Sequence, residues 1–494
     1  MQDMVAVDRL PLIVALIVYL ILQFAIAYIA SRTIKVEADY FVAGRKLGVY
    51  AVAMSVFATW FGAESVMGSS GAVAAEGLAG GRAEPFGYTI CLLAMATFIA
   101  FKMREAGVIT FVDFFRERFG RTANWFAALL TIPTSIIWAS AQLLAMGQIV
   151  GEVTGLETNI GLLIGATVII VYTTVGGLLG DVITDIVQGT ILIVSLLILL
   201  LVVLLSHQFP LDQIKPEQLS FIAIGDDGQP QSLLATLDAW MVPILGSLVA
   251  QEAISRFLGA RTPSVARMGC YWAAGIYLLI GSVPVLLGLL GTAVGFEATD
   301  QDRFLPQLAS QYLDPIMYVV LMGAIVSAIL STVDTTLLAV SAIATRNIVE
   351  PLIPNLTEVG KVRVGRALTA GAGLVALAFA ASGQGIKDLV EIASSFGSSG
   401  ILVALMFGLH TKFGDERAAV AALATGGLIS ILGDGVIATV ASWFIGADAA
   451  GELPAWTQGF EGGYVFSVLG ALAAYLAVAF TTATKRPAEA TAGS

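Results

Sequence analysis

Long apolar stretches separated by short polar segments follow one another along the 494-residue chain. A membrane-spanning helix needs about 20 predominantly apolar residues, and the pattern predicts thirteen such spans. Their approximate ranges are 11–31, 47–75, 84–103, 122–150, 158–179, 184–206, 231–256, 267–297, 312–346, 364–382, 385–408, 416–440 and 462–482. Transmembrane β-barrel strands would instead alternate apolar and polar residues in segments of about ten. The sequence therefore predicts an all-α polytopic membrane protein.

Lys and Arg are unevenly distributed among the segments between these spans. With the N-terminus outside, the cytoplasmic segments hold 20 basic residues and the outer segments hold 5. Cytoplasmic loops are enriched in Lys and Arg, so the distribution predicts an outer N-terminus and a cytoplasmic C-terminus in the cell membrane. We expect an extra N-terminal helix in 1–35, a ten-helix core in 36–410, two further helices in 411–484 and a disordered tail in 485–494.

Composition narrows the class of protein. Apolar residues make up 57% of the chain and charged residues 12%, against about 25% charged residues in a soluble domain. The net charge is −11 and the basic residues are scattered, which excludes a nucleic-acid-binding groove. No constellation of His, Cys or paired acids suggests catalysis, so we expect a protein that is not an enzyme.

Among the acidic residues within predicted spans we single out six, because a charge at the centre of a membrane helix costs about 2.5–3.5 kcal/mol. They are Glu64, Asp185, Asp238, Glu252, Asp334 and Asp434. Because these are buried acids for which we expect no buried base, the pattern indicates that something cationic passes through the protein.

The second span contains small residues near its middle, where Phe61, Gly62 and Ala63 follow Trp60. An unwound turn there would expose carbonyl oxygens, which suit sodium. The alternative is that Gly62 simply allows close helix packing. Both interpretations stay open from the residues alone.

The ninth span places Ser327, Ser331 and Asp334 on one helical face, with Thr332 beside it. The hydroxyls of Ser331 and Thr332 could complete oxygen coordination around a cation. Alternatively, these hydroxyls bond to carbonyls of their own helix.

In the sixth span, Asp185 is either an acid on a cation exit path or a first-turn acid favoured by the helix dipole.

Three aromatic residues, Trp60, Tyr88 and Trp138, fall near the same region. Aromatic faces attract cations, although a membrane Trp is commonly an interfacial residue.

Spans two to six and seven to eleven form two blocks of five spans each. Because five is an odd number, the two blocks enter the membrane in opposite directions. Each block starts with an interrupted span, by Gly62 and Gly68 in one and by Pro243 and Gly246 in the other. Paired interruptions indicate a midplane binding site of a transporter.

Three motifs together resemble the sodium–solute symporter family over roughly residues 39–410. They are DYFVAGRKLG before span two, YTTVGGLLGDVITDIVQG at spans five to six, and SAILSTVDTTLLAVSAIATRNIV in span nine. The resemblance implies a LeuT-type fold with a five-plus-five inverted repeat and broken helices. It also implies a sodium site, with Asp185 on the sodium path. By motif, the sodium ligands are Ala58, Phe61, Ala328, Ser331 and Thr332.

Within that family the chain is most similar to the high-affinity choline transporters, through TWFGAESVMG, EPFGYT, SIIWASA and LSTVDTT. The resemblance implies an aromatic cage for an ammonium group, formed here by Trp60, Tyr88 and Trp138. A fourth cage position is Ala250, followed by Gln251, and Glu64 replaces a small residue. Choline, another organic amine and a zwitterion all stay open.

The sequence therefore predicts a sodium-coupled symporter that imports a small organic solute by alternating access. The predicted partners are the solute, sodium and the lipid bilayer, without nucleic acid. The candidate solute-binding residues are Trp60, Glu64, Tyr88, Trp138, Gln251 and Asp334. Alternatives are proton coupling through Glu64 or Asp334, sodium-coupled uptake of an amino acid or carboxylate, and, as rivals from other classes, a membrane enzyme or a transporter-like sensor.

Overall fold

The computed structural model describes residues 36–207, 210–225, 228–353, 355–381, 386–433, 435–445 and 447–483, with a few isolated positions between 14 and 32. Regular structure in these ranges is helical, apart from isolated β-bridges that join Leu47 to Ala260 and Ile224 to Pro230. The predicted first span, Asp434 and the predicted disordered tail lie outside the described residues.

The helices up to residue 258 are α1 (Glu37–Val42), α2 (Val49–Trp60), α3 (Ser69–Glu76), α4 (Tyr88–Ala94), α5 (Ala100–Ala106), α6 (Phe111–Arg118), α7 (Arg121–Thr154), α8 (Thr158–Ser206), α9 (Leu233–Leu245) and α10 (Gln251–Leu258). The helices that follow are α11 (Pro263–Ala293), α12 (Phe304–Tyr312), α13 (Pro315–Ile343), α14 (Glu350–Leu352), α15 (Glu358–Ala380), α16 (Ile386–Ser395), α17 (Ser398–His410), α18 (Glu416–Gly433), α19 (Val436–Ile445), α20 (Ala447–Gly451) and α21 (Gly463–Ala483). A π-helical turn over Glu64–Gly68 leads into α3.

Eight helical segments in the described ranges are long and apolar enough to cross a membrane, or eleven if each bent pair counts as one span. Thr158–Thr174 is a further, shorter apolar helix. Each predicted span after the first overlaps one of these segments. The total of thirteen stays a prediction, because the first span lies outside the described residues.

Among the described residues, three spans are bent at a short break between two helices. The break between α2 and the turn that leads into α3 bends the second span by 65°, and the break between α9 and α10 bends the seventh by 43°. The break of the second span agrees with the sequence analysis. In the seventh, α9 ends before Gly246 as expected, but Pro243 lies within α9 and the bend lies at Ala250. The 40° bend between α16 and α17 is not expected from the sequence. It follows from Gly397, whose φ of +68° ends one helix and starts the next.

Predicted spans five and six are continuous in α8, which has 49 residues. A straight helix would separate residues twelve positions apart by about 18 Å. The hydroxyl of Tyr172 nevertheless lies 3.3 Å from Oγ1 of Thr184. The helix is therefore bent between these residues, and the parts before and after the bend correspond to the two predicted spans.

Span twelve is shorter than predicted. The sequence pattern extends it to residue 440, but α18 ends at Gly433 and α19 starts at Val436. Gly435 has a φ of +65°, which permits the turn between them. Helix α18 packs against α21 and α17.

Helix starts follow ordinary capping rules. The Asp314 carboxylate accepts hydrogen bonds from the backbone N–H of Ile316 and Met317, at 2.9 and 3.2 Å, and Pro315 occupies the first turn of α13. Helix α13 then packs against α7 and α8, and α11 packs against α2. The broken second span is thus held among long helices of both five-span blocks.

Candidate functional site

The break of the second span is stabilised by side chains from neighbouring helices. After Trp60, Phe61 leaves the helical region with φ −82° and ψ 61°. The backbone N–H of Ala63 donates to Oε1 of Gln142 at 2.9 Å, and the Trp60 carbonyl accepts from Oγ of Ser65 at 2.9 Å. Irregular backbone at membrane depth needs such partners. The structure places the unwound turn at the positions predicted from the sequence.

Gly62 brings this break into close contact with α13. A Cβ atom on Gly62 would lie 2.6 Å from Oε1 of Gln142 and 3.0 Å from Oγ1 of Thr332. A side chain of any size would therefore displace these groups. Both interpretations of Gly62 therefore apply: the residue allows close packing, and it lies in the opened backbone.

The predicted sodium ligands on α13 offer oxygen atoms next to the break. Oγ1 of Thr332 donates to the carbonyl of Ala328 at 3.0 Å, and Ser331 Oγ donates to the Asp185 carboxylate. Ala58 and Phe61 are buried at the end of α2. Carbonyl and hydroxyl oxygens at an unwound helix are the ligands used for sodium, so the chemistry of this donor set fits that ion. In the part of the chain that the structure describes, His, Cys, Asp and Glu form no group of three or more that could hold a metal.

The expectation of buried acids without a buried base is wrong. Arg256 is fully buried; its guanidinium pairs with Asp181 and, at 3.2 Å, with Asp185. Its Nε donates to Oγ1 of Thr59 at 3.0 Å. From the sequence Arg256 falls at the end of span seven and is assigned to a cytoplasmic loop. The bend at Ala250 instead directs α10, and this guanidinium, into the protein.

Asp185 connects three helices. It lies on α8 and accepts hydrogen bonds from Ser55 on α2 and Ser331 on α13. Thr335 on α13 donates to Asp181 at 2.6 Å. The broken span, α8, α10 and α13 are therefore linked through one charged cluster, Asp181, Asp185 and Arg256.

The remaining predicted intramembrane acids lie in different surroundings. Asp334 is fully buried, and within the described ranges neither carboxylate oxygen accepts a hydrogen bond. It is not among the residues that line either of the two cavities below. Glu64 and Asp238 line the larger cavity, and Glu252 lines the smaller one.

A large cavity of about 880 Å³ reaches from one face of the protein to the broken span. Its deep end is lined by the buried side chains of Glu64, Tyr88 and Ser394, and its mouth by residues 458–462. The distribution of basic residues predicts that this face is extracellular. The lining includes one guanidinium, that of Arg82, and six carboxylates, those of Glu64, Glu76, Glu84, Asp238, Glu391 and Glu461. The cavity is therefore strongly acidic.

Glu84 is a buried acid that the sequence analysis did not single out. Its carboxylate accepts from the Tyr277 hydroxyl at 2.6 and 2.8 Å and from Oγ of Ser65 at 2.9 Å. It stands at the first residue of predicted span three, and therefore resembles a loop residue. The available signal is its place in EPFGYT, four residues before Tyr88.

The three predicted cage residues come together around Tyr88. Its ring centroid lies 5.4 Å from that of Trp60 and 6.4 Å from that of Trp138, both edge-on. Tyr277, which the sequence did not single out, lies 6.5 Å away. Of these four rings, only that of Tyr88 lines the large cavity.

Trp138 and Gln251 line a small cavity of about 30 Å³ instead. Oε1 of Gln251 accepts from the backbone N–H of Phe111 at 2.9 Å, at the start of α6. Ser394 lines both cavities, and its Oγ lies 3.5 Å from the Tyr88 hydroxyl and 3.4 Å from Oγ of Ser247. The small cavity lies beyond Tyr88 and Ser394.

A group of ion pairs connects the segment after α13 with α1 and α6, and α15 with α14. Arg346 contacts Glu37 at 2.8 Å and Asp113 at 2.9 Å, and Lys361 contacts Glu350 at 3.1 Å. Burial raises the pKa of the Glu37 carboxyl, while Arg346 and Lys361 act in the opposite direction. None of these paired residues is among those that line the large cavity.

Comparisons with known proteins place this architecture in one family. The sequence profile of the sodium:solute symporter family matches residues 40–426. High affinity choline transporter 1 of Homo sapiens is 26% identical over 329 residues, which are 62% of this chain and 55% of the relative. The Drosophila melanogaster counterpart is 23% identical over 324 residues, 63% of this chain and 52% of the relative. The chain thus spans about half the length of these curated relatives.

Solved structures share the fold. A Na+-coupled sialic acid symporter in a substrate-bound outward-open state superposes with a TM-score of 0.73 at 15% identity, covering 96% of this chain and 98% of the other. MhsT in complex with L-phenylalanine superposes with a TM-score of 0.51 at 15% identity, covering 88% and 98%. At this identity the likeness concerns the fold alone, and it confirms the predicted all-α fold of LeuT type.

Proposed function

Because the chain belongs to the sodium:solute symporter family, we propose that it is a sodium-coupled symporter of a small organic amine or quaternary-ammonium solute. In this proposal it imports the solute across the cell membrane by alternating access. Transport itself requires no covalent chemistry. The observation that carries the choice of solute is the large acidic cavity that ends at Glu64 and Tyr88.

The charges of the cavity favour a cation. Six carboxylates and a single guanidinium line it, and a cleft lined by one sign of charge concentrates ligands of the opposite sign. A dicarboxylate would meet repulsion from most of the wall. The carboxylate of a zwitterion could still be bound by the sodium ion or by a half-helix N-terminus. The cavity volume of about 880 Å³ lies within the range of small-molecule sites.

The sodium ion would bind between the break of span two and α13. We assign its ligands to the carbonyls of Ala58, Phe61 and Ala328 and the hydroxyls of Ser331 and Thr332. A cation there would hold α2 against α13 while the large cavity is open. One sodium that enters down 100 mV supplies about 2.3 kcal/mol. Asp185, hydrogen-bonded to Ser331, would receive the ion on its way to the opposite face.

Uptake into proteoliposomes tests the proposal. Labelled amines, amino acids and carboxylates are offered with and without an inward sodium gradient. We expect sodium-stimulated uptake of an amine that ammonium compounds inhibit and carboxylates do not. Inhibition by anionic carboxylates, without inhibition by ammonium compounds, would overturn the choice of solute and leave the sodium-coupled symporter standing.

Proton coupling is a second candidate, and the surroundings of Asp334 favour it. A buried carboxylate whose oxygens accept no hydrogen bond within the described residues is costly as an anion and would be stabilised by a proton. If protons drive transport, uptake persists without sodium under an inward proton gradient, and Asp334→Asn abolishes that uptake. If sodium drives it, the proton gradient alone gives no accumulation.

A further inference from the structure

Glu64 holds a carboxylate at the deep end of the large cavity that is only half satisfied. One oxygen, Oε2, accepts a hydrogen bond from the side-chain amide of Gln142. The other, Oε1, is buried and has no hydrogen-bond partner in the described part of the chain. The side chain as a whole is 4% exposed. This arrangement leaves a fixed acceptor beside the space that a solute would fill.

From this acceptor we infer the solute's chemical class: an ammonium group that carries at least one N–H, which donates to Oε1 of Glu64. The inference rests on the proposed function and makes it more specific. It distinguishes protonated primary, secondary and tertiary amines from quaternary ammonium compounds, which have no N–H to donate.

Neighbouring groups identify Glu64, and not Glu84, as the acceptor. Glu84 also lines the cavity, but its oxygens already accept from Tyr277 and Ser65. A buried acceptor without a donor loses its hydration and gains nothing in return. A hydrogen bond between two charged groups is among the strongest that proteins form. A solute N–H would therefore gain most at Glu64.

The aromatic residues point the same way. A quaternary ammonium group binds through the faces of several rings, but Trp60 and Trp138 pack edge-on against Tyr88 and do not line the large cavity. Ala250 supplies no ring and lines only the small cavity. Among the described residues, Tyr88 and Phe460 are the aromatic rings in the lining of the large cavity. An incomplete cage next to an unpaired carboxylate favours a solute with an N–H.

Ligands that share one skeleton test the inference. Ethanolamine, N,N-dimethylethanolamine and choline are all cationic at pH 7 and carry three, one and no N–H donors on nitrogen. Their binding to the purified full chain in sodium is measured by the rise in melting temperature with ligand concentration. We expect N,N-dimethylethanolamine to bind about tenfold more tightly than choline, the effect of one charge-assisted hydrogen bond.

The variant Glu64→Gln should reduce this ratio to about threefold or less, because a neutral amide accepts a weaker hydrogen bond. Glu391→Gln is the matched control, since it removes one negative charge from an exposed position of the same cavity. The control should keep the wild-type ratio.

The inference is overturned if choline binds to the wild type as tightly as N,N-dimethylethanolamine does. This outcome does not depend on whether the variant folds. The inference is also overturned if Glu64→Gln loses affinity for choline and N,N-dimethylethanolamine equally, or if none of the three amines binds. The sodium-induced rise in melting temperature, measured without amine, is the separate check on the proposed symporter. If sodium stabilises the chain while choline is preferred, only the N–H inference fails. If sodium has no effect, the sodium-coupled function fails, whichever amine is preferred.

Discussion

Ser331 and Thr332 are neighbours on α13, but their hydroxyls have different partners. Ser331 donates to Asp185 on α8, whereas Thr332 donates to Ala328 on its own helix. Oγ1 of Thr332 also lies where a Cβ of Gly62 would contact it. Thr332 is therefore the hydroxyl beside the unwound turn, and Ser331 connects α13 to the charged cluster.

Replacing both residues by alanine should raise the sodium concentration for half-maximal transport by roughly tenfold, because two neutral oxygen ligands are lost. The measurement is uptake as a function of sodium in proteoliposomes. Ser341→Ala is the control, since Ser341 is equally buried on α13 but donates to Leu338, away from the break. An unchanged sodium dependence in the double variant would refute the ligand assignment.

Local patterns identified some of these residues and could not identify others. Gly62, Ser331 and Thr332 stand out in the sequence because small or polar residues interrupt apolar runs. Arg256 and Glu84 do not, because each lies at the end of a predicted span and resembles a loop residue. Their burial depends on how α10 bends and on where Tyr277 packs. Such tertiary contacts do not show in the local sequence pattern.

At the scale of elements, the broken second span is the feature on which the candidate site depends. Sequence analysis located its break because the small residues there are contiguous. It did not locate the bend between α16 and α17, since Gly397 lies within a run of serines and glycines that also suits a packed helix. Nor does the sequence pattern show that predicted spans five and six continue as one bent helix, α8.

The variant Gly62→Ala should lower the apparent affinity for sodium and reduce transport, because its methyl group would displace Gln142 and Thr332. We expect a loss of transport of roughly tenfold or more, comparable to losing one buried hydrogen-bonded group. Gly48→Ala is the control, since a Cβ there meets nothing within 4 Å. Equal activity of the two variants would show that the close approach at Gly62 is not needed.

In the molecule as a whole, the large cavity reaches from one face to the broken span. The cluster of Asp181, Asp185 and Arg256 joins α8 and α10, and hydrogen bonds extend it to α2 and α13. Alternating access requires these helices to change their relative positions. We therefore propose that the cluster acts in the step between the two facing states of the transport cycle.

For that reason Asp185→Asn should slow turnover more than it weakens solute binding. Binding and transport are measured on the same preparation, and we expect turnover to fall by roughly tenfold with solute affinity within about threefold of the wild type. Glu157→Gln removes a charge from an exposed position before α8 and serves as the control. A large loss of affinity with normal turnover would instead place Asp185 in the solute site.

The central claim is that sodium moving down its gradient drives the solute across the membrane. It is tested most directly by reversing the sodium gradient across proteoliposomes loaded with equal solute inside and outside, using the amine that binds most tightly. We expect net accumulation of the solute when the sodium gradient points inward and net efflux when it points outward. Solute that stays at equal concentrations under both gradients would contradict it.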